Sequence, residues 1–422
     1  MQSARQIRIR QGRDLRLAGA PRQALREVGR VDTVALMGHD FPGIRPEFRV
    51  APGDRVKTGQ TLFVDRRRAR IAFAAPAAGV VEAINRGQRR ALDSLIIRID
   101  GGAAEPFGTP EAGNAEALRG LLLSSGLWTS FAMRPFGRIP DPDAEPGAIF
   151  VTAIDTSPLA ADPRVAIDMD ADAFRRGLAA LPMLTAGPVF VCRGPGEPIA
   201  GVLGERINEV AFSGPHPAGL AGTHIHHLAP AGPSQAVWTI GYQDVIAIGT
   251  LLQTGRLPTH RVVALAGPGM REPALARLPP GSSLDDALYG QLSSGDMRLI
   301  SGSVLTGRES AFLSRYHNQV TVLPRAQGRY RPGAAAWLRA AFSGVPDAAI
   351  IPREDFERVL PFDILPVPLL RALSIGDAET ARDLGCLELV EEDLALLSHV
   401  CTTGTDYGAL LRFVLDQLEA EG

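Results

Sequence analysis

Two stretches near the start of the chain alternate apolar and polar residues around glycine turns: Val50–Phe63 and Ala75–Ile84. Val50, Val56, Leu62, Val80 and Ile84 suit pleated, half-buried strand positions. Gly53-Asp54 and Gly59 supply the turns between them. Beyond residue 104 the period changes. Ala115–Ser125, Asp172–Leu181 and Tyr242–Gln253 carry helical spacing, the last ending at Gly255. Between them lie compact apolar runs, Ala148–Ile154 and Gly187–Cys192, with Asn208–Phe212 as a third strand. Strands separated by helices predict a parallel, doubly wound layer. Strand patterns return at Arg261–Ala266 and Arg298–Leu305, with a short helix Leu284–Leu288 begun by Ser282 or Ser283. The C-terminal part reads as helices: Ala334–Phe342, Pro366–Leu373, Asp377–Leu384, Glu391–Val400 and Tyr407–Glu419. The chain is therefore expected to be a multidomain α/β protein. Its four units are residues 1–104 (β-rich), 105–255 (α/β), 256–325 (a small sheet) and 326–422 (helical).

The first unit resembles the flattened β-sandwich of biotinyl and lipoyl carrier domains. A carrier presents a lysine at the tip between its two halves, whereas the tip here reads Asp65-Arg66-Arg67-Arg68. The only lysine in the chain, Lys57, lies inside the first half. The carrier shape is expected without its attachment chemistry.

Composition narrows the function classes. A net charge of −2 over 422 residues gives no global attraction to nucleic acid or to an anionic membrane. Three scattered cysteines, Cys192, Cys386 and Cys401, make no disulfide framework and suggest a reducing compartment. The charged N-terminus has no signal-peptide core, and the longest apolar window, Ala236–Leu252, is broken by Gln243 and Asp244. The chain is not expected to span a bilayer, but it can dock on something that does.

Candidate chemistry is sparse. No G-x-G-x-x-G or P-loop is present; Gly194-Pro-Gly196 and Gly267-Pro-Gly269 read as turns. His216, His224, His226 and His227 cluster in a Gly/Pro-rich segment. On a strand, His224 and His226 would share one face with His227 opposite. The main reading is histidines bonded to backbone carbonyls; a partner contact and a metal site are the alternatives. Cys386 and Cys401 stand fifteen apart without C-x-x-C partners and read as packing cysteines. Asp285-Asp286 and Glu391-Glu392-Asp393 read as charges at helix N-termini.

Several longer strings carry a resemblance. They include Ala75-Pro-Ala-Ala-Gly79, Ser125-Gly-Leu-Trp-Thr129, Arg134-Pro-Phe136 and Gly214-Pro-His-Pro-Ala-Gly-Leu220. Tyr242-Gln-Asp-Val-Ile-Ala-Ile-Gly249 and Ile300-Ser-Gly-Ser-Val-Leu-Thr-Gly307 extend the set. With these the chain resembles the NqrA family, a component of the sodium-translocating NADH:quinone oxidoreductases (Nqr). That family is similar to the C subunit of the Rnf complex and to the flavin- and NADH-binding subunit of respiratory complex I. The resemblance implies a Rossmann-like layer, a small β-grasp (SLBB-like) domain and a helical C-terminal bundle.

In the flavin-binding relatives a glycine-rich segment holds flavin mononucleotide. The matching Gly126–Phe136 keeps only its first glycine, and Trp128, Phe131 and Met133 are expected to fill the flavin cleft. No flavin, iron–sulfur cluster or metal is then expected. The resulting aromatic cleft, with Trp128, Phe131, Met133, Arg134 and Phe136, is the expected place for ubiquinone, or else a plug that stiffens the fold. The resemblance further implies a peripheral protein on the cytoplasmic face of the bacterial inner membrane. Its partners would be the other Nqr subunits, chiefly the membrane component NqrB, and activity would belong to the complex. The competing readings are a pure scaffold without ligand and a free-standing flavoenzyme.

Overall fold

In the first unit, the alternation seen in sequence becomes two facing sheets. The computed structural model describes residues 5–87, 91–111, 113–201, 204–232, 235–325 and 352–421. A four-stranded antiparallel sheet takes the order β3 (Thr33–Met37), β9 (Leu92–Ile99), β8 (Gly79–Arg86) and β5 (Arg55–Val56). Against it lie β4 (Pro46–Phe48), β6 (Thr61–Asp65) and β7 (Arg68–Ala74). Val56, Leu62, Ile71, Leu95 and Ile97 are buried in this unit's core. Phe63 stacks on Phe73 at 4.5 Å, and Phe41 meets Phe73 edge-on at 4.9 Å. The Asp65–Arg68 tip is the β6–β7 hairpin turn. Asp65 is buried beneath it and accepts bonds from the Arg45 and Arg67 amides at 3.2 Å and from Arg68 Nε at 3.0 Å. Lys57 is exposed and pairs with Glu105 at 3.5 Å.

The first two strands of the chain leave this unit. β1 (Arg5–Arg8) and β2 (Arg22–Arg26) each close the edge of another sheet. The span expected to form one unit thus feeds four sheets. Both strands are short and arginine-flanked, a composition that suits an edge open to water.

β1 begins a six-stranded sheet that continues with β13 (Ile207–Ser213), β12 (Val189–Arg193), β11 (Ala148–Ala153), β14 (Val237–Gly241) and β10 (Ala132–Arg134). All neighbours run parallel except β14 and β10. Its central strands are near-continuously apolar because both faces are covered. Ile149, Val151, Trp238 and Ile240 share the large core with helices α3 (Ala171–Ala180) and α5 (Tyr242–Thr254). Phe150, Cys192, Val210 and Phe212 pack instead with Ile225 of α4 (Ala221–Leu228). Helix α1 (Ala115–Ser124) is started by Asn114, whose side chain accepts from the Ala117 amide at 2.9 Å. Helix α2 (Pro163–Met169) starts on Asp162 with proline in its first turn. Gly255, at φ 65°, ends α5 as expected.

Two glycines let α3 and α5 cross at backbone distance. A Cβ on Gly249 would lie 1.8 Å from the Ala173 carbonyl oxygen, and one on Gly177 would lie 2.1 Å from that of Val245. Backbone cannot give way as a flexible side chain would. Gly249→Ala should therefore cost about 1–3 kcal/mol or more in denaturant melts, whereas a Gly→Ala change in an open helix is stabilising. An unchanged midpoint would mean the helices are not in this contact.

The third sheet takes the order β18 (Arg308–Glu309), β17 (Met297–Ser301), β19 (Gln319–Pro324), β15 (Arg261–Ala266), β16 (Ala274–Leu278) and β2. The strand expected over Arg298–Leu305 stops at Ser301, where Gly302 turns to φ 94°. Helix α6 (Leu284–Ala287) is capped by Ser283, which accepts from the Asp286 amide at 3.2 Å. The Asp286 carboxylate instead reaches the first unit, accepting from the amides of Asp32 and Thr33 at 3.0 and 3.1 Å.

The C-terminal helices have their own core, including Phe356, Leu369, Leu373, Tyr407, Leu411 and Leu415. They are α7 (Glu354–Val359), α8 (Pro366–Ile375), α9 (Ala378–Asp383), α10 (Ala395–Val400) and α11 (Tyr407–Glu421). The helix expected over Ala334–Phe342 lies outside the described residues. The one expected over Glu391–Val400 divides into a 3₁₀ turn, Glu391–Leu394, followed by α10. Among the described residues no helix is long and apolar enough to cross a membrane.

Candidate functional site

The segment after α1 positions the residues expected to hold a quinone. Gly126 (φ 80°) leads into a 3₁₀ turn, Leu127–Ser130, and then into β10. Trp128 is fully buried and donates Nε1–H to the Pro140 carbonyl at 3.0 Å. It meets Phe131 at 5.7 Å and Trp238 at 5.3 Å between ring centroids, and Phe131 meets Trp238 at 5.4 Å. Met133 packs on the same large core, and Phe136 (φ 79°) packs on the C-terminal helical core. The structure thus brings Trp128, Phe131 and Met133 together, puts Phe136 with the helices, and sends Arg134 elsewhere.

Alternation along β10 explains the division, since neighbouring residues face opposite sides. Ala132 and Arg134 border a cleft of about 370 Å³ at the C-terminal ends of β11 and β14. Of the five residues expected to line it only Arg134 does, and the aromatic rings on its wall are those of Tyr242, Tyr316 and His317. The cleft wall includes Thr152, Asp155, Thr239, Asp244, Glu391 and Glu392, while the aromatic bulk stands behind β10 in the core.

Arg134 is 3 % exposed; Nη1 donates to Asp393 Oδ2 at 2.7 Å and to the Glu388 carbonyl at 2.9 Å, and Nη2 lies 3.5 Å from Glu392. Asp393 also accepts the Val390 amide at 2.8 Å. Its carboxylate fits only because residue 222 is glycine; a Cβ there would fall 2.2 Å from Oδ1. Nearby, Arg412 bonds the Phe136 carbonyl and both oxygens of Glu391 at 2.7–2.8 Å. These contacts dock the helical unit on the cleft.

The residues present do not fit flavin mononucleotide. A phosphate would meet the carboxylates of Asp155, Asp244, Glu391 and Glu392, and the cleft's Arg134 is already spent. The N-terminus of α5 would ordinarily attract an anion, but it has its own in Asp244.

Asp244 also separates this cleft from a second cavity. Its Oδ2 pairs with Arg261 at 2.9 Å and its Oδ1 with Arg315 at 2.8 Å. Ser130 Oγ donates to Oδ1 at 3.1 Å and accepts from Arg315 at 2.9 Å. Burial pushes the Asp244 carboxyl up, but the two guanidinium groups more than offset this and hold it below the usual carboxylate range. A lowered folded pKa stabilises the fold above the unfolded value and is lost as pH falls through the folded value. Wild type should therefore lose stability steeply below about pH 4. Asp244→Asn, less stable at pH 7, should show a flatter profile there in denaturant melts repeated across pH.

The second cavity, about 590 Å³, lies where the first unit, α5 and the third sheet meet. Leu36, Phe41, Phe73, Leu127 and Ile246 give it apolar walls, and Gln243, Arg261 and Arg315 give it polar ones. Of the segment singled out in sequence, Ser125, Gly126, Leu127 and Thr129 border it, but none of the five expected quinone residues does.

The histidine segment folds differently from expectation. Residues 221–228 are helix α4, not a strand, so His224 and His227 share a face and His226 points away. The preceding Gly/Pro turn delivers the chain to a helix start at Leu220, and tertiary packing overrode the strand reading. His224 and His227 bond the carbonyls of Ala218 and Thr223 at 3.0 and 2.9 Å. His226 bonds Glu388 at 3.0 Å and accepts the Asp363 amide at 3.1 Å, and His216 meets Thr156 Oγ1 at 3.2 Å. Burial lowers the His224 pKa to about 3, keeping the ring neutral. Among the described residues, no group of three or more His, Cys, Asp or Glu side chains is placed to hold a metal ion.

Sheets of both kinds, a polar switch-point cleft and a docked helical unit define a multidomain α/β protein with the domain series of one family. The NqrA N-terminal barrel-sandwich hybrid domain matches residues 7–100, the NqrA second alpha/beta domain residues 113–257, and the NQRA C-terminal domain residues 262–311. The A subunit of the Na(+)-translocating NADH-quinone reductase of Saccharophagus degradans is 46% identical over 448 residues, covering 99% of this chain and 100% of the relative. Its counterpart in Pseudomonas aeruginosa is 46% identical over 447 residues with the same coverage. The chain belongs to this NqrA family. A solved NAD+-reducing [NiFe]-hydrogenase structure overlays with a TM-score of 0.41 at 15% identity, covering 74% of this chain and 62% of that one.

Proposed function

We propose that this chain is the peripheral NqrA component of a sodium-pumping NADH:ubiquinone oxidoreductase. It would sit on the cytoplasmic face of the inner membrane against the other subunits, chiefly the membrane component NqrB. The observation that carries this reading is the end-to-end match at 46% identity to proteins of that name. Catalysis belongs to the assembled complex; electrons and sodium move through its partners, and this chain holds no flavin or iron–sulfur cluster of its own. At the finer level we read the four units as a carrier-like sandwich, a Rossmann-like layer, a β-grasp domain and a helical bundle.

We further infer that ubiquinone, if it enters this protein, uses the 590 Å³ cavity rather than the aromatic cluster. A quinone ring is flat and accepts hydrogen bonds, and this cavity offers apolar walls with Gln243, Arg261 and Arg315 among its polar lining. The placing of Trp128, Phe131 and Met133 within the core favours the competing scaffold reading for those residues. Leu36→Trp, which projects bulk into the cavity, tests the two. In a complex that still assembles, ubiquinone KM should rise about tenfold or more, as expected when a well-filled apolar pocket is blocked. Unchanged quinone kinetics in an intact complex would leave the scaffold reading standing.

A further inference from the structure

The segment from Arg5 to Arg16 is strongly basic. Arg5, Arg8, Arg10, Arg13 and Arg16 fall within residues 5–16 against a single acid, Asp14, in a chain whose net charge is −2. All five arginines are exposed, and none makes a side-chain hydrogen bond or ion pair among the described residues. The one acid is engaged by backbone, accepting the His216 amide at 2.9 Å. Arginines elsewhere are commonly paired: Arg22, Arg138, Arg193, Arg261 and Arg412 each have a carboxylate partner.

Protecting an edge strand asks for a charge or two on β1 itself. It does not account for Arg10, Arg13 and Arg16, which lie beyond the strand's end at Arg8.

Exposed aliphatic side chains lie further along the C-terminal helices to which this stripe is tied. The Gly12 amide donates to the Arg358 carbonyl at 2.8 Å, tying the stripe to the end of α7. Asp363 reaches α4 through His226, and Leu365 follows two residues later at the start of α8. Leu365 and Ile375, at the two ends of α8, are 61% and 71% exposed. Pro368 and Arg371 are exposed on the same helix, which carries no acidic residue. Basic charge beside exposed aliphatic side chains is the composition of a surface that lies in a membrane interface.

We propose that residues 5–16 and the exposed face of α8 together form a contact for an anionic phospholipid surface. This goes beyond membership of the complex, since it assigns the chain a direct grip on lipid in addition to any protein partner. Anionic headgroups supply the countercharge, and Leu365 and Ile375 enter the boundary between headgroups and acyl chains. The contact weakens with salt because it is largely electrostatic.

The test uses the purified full chain and sedimentation with vesicles of phosphatidylcholine alone or mixed with phosphatidylglycerol. Each arginine brought to an anionic surface strengthens binding about fivefold. Binding to phosphatidylglycerol vesicles should therefore exceed binding to phosphatidylcholine by about a hundredfold or more and fall with added salt. The combined variant R5Q/R8Q/R10Q/R13Q/R16Q should lose that difference, and L365S/I375S should bind about tenfold more weakly. Both sets are exposed, so circular dichroism and melting should match wild type. Equal binding to the two vesicle types, or full binding by the glutamine variant, would overturn the proposal. So would recruitment only to vesicles that carry the membrane component of the complex, which would make the stripe a protein contact. Co-purification with that component is scored separately, so failure of lipid binding and failure of complex membership give different results.

Discussion

Arg134→Met is expected to destabilise the protein by about 3–5 kcal/mol, because it leaves the Asp393 carboxylate buried without its countercharge. Asp393 Oδ1 has no hydrogen-bond partner, so Oδ2, shared between Arg134 and the Val390 amide, carries its whole solvation. The loss should fall on the docking of the helical unit. Limited proteolysis ought to release a C-terminal fragment that holds α7 to α11 before the parallel sheet is cut. Arg134→Lys should recover only part of the loss, since a shorter side chain with one nitrogen can replace Nη1, which makes the Asp393 and Glu388 bonds, but not Nη2, which lies 3.5 Å from Glu392. Paired replacement, Arg134→Met with Asp393→Leu, removes both charges and should restore most of the stability. If the single and double variants melt alike, the pair is not what holds the units together.

Trp128→Ala should cost a similar amount, about 3–5 kcal/mol, through loss of packing and the cavity left behind. The indole is fully buried, flanked by Phe131 and Trp238 and covered by the Arg119 guanidinium 5.1 Å from its ring. Trp128→Phe keeps most of the volume and should cost less. In an assembled complex this series separates two roles. If Trp128 only packs, ubiquinone KM should hold constant in Trp128→Phe while melting temperature falls. A KM that rises in step with lost aromatic surface, at unchanged stability, would place the quinone against the indole after all.

Local pattern carried much of the fold. Ala148–Ile154, buried on both faces, could be little other than an inner strand, and Gly255 marked the end of α5 because only a left-handed residue closes a helix that way. The helix read as a strand at His224–His227 shows the limit of such reasoning. Eight residues with three imidazoles and few apolar positions have no clear period, and the packing of Ile225 decided the matter.

The candidate site was less legible than the fold. Sequence could single out the segment Gly126–Phe136 but not which way its side chains face, since one step along a strand exchanges core for cleft. The ionic cluster of Asp244, Arg261 and Arg315 went unrecognised, because its members come from a helix, a strand and a loop. One sign of it was present: Asp244 interrupts an apolar helical run, and a carboxylate in that setting needs a buried partner.

The placing of β1 and β2 bears on how the chain is made. β1 and β2 wait for partners near residues 210 and 275, so neither can settle until the chain has been made well beyond the first unit. Contacts this distant along the chain form slowly. The arginines that flank these strands then have a use before folding is complete: they keep a nascent edge in water while its sheet is still being built.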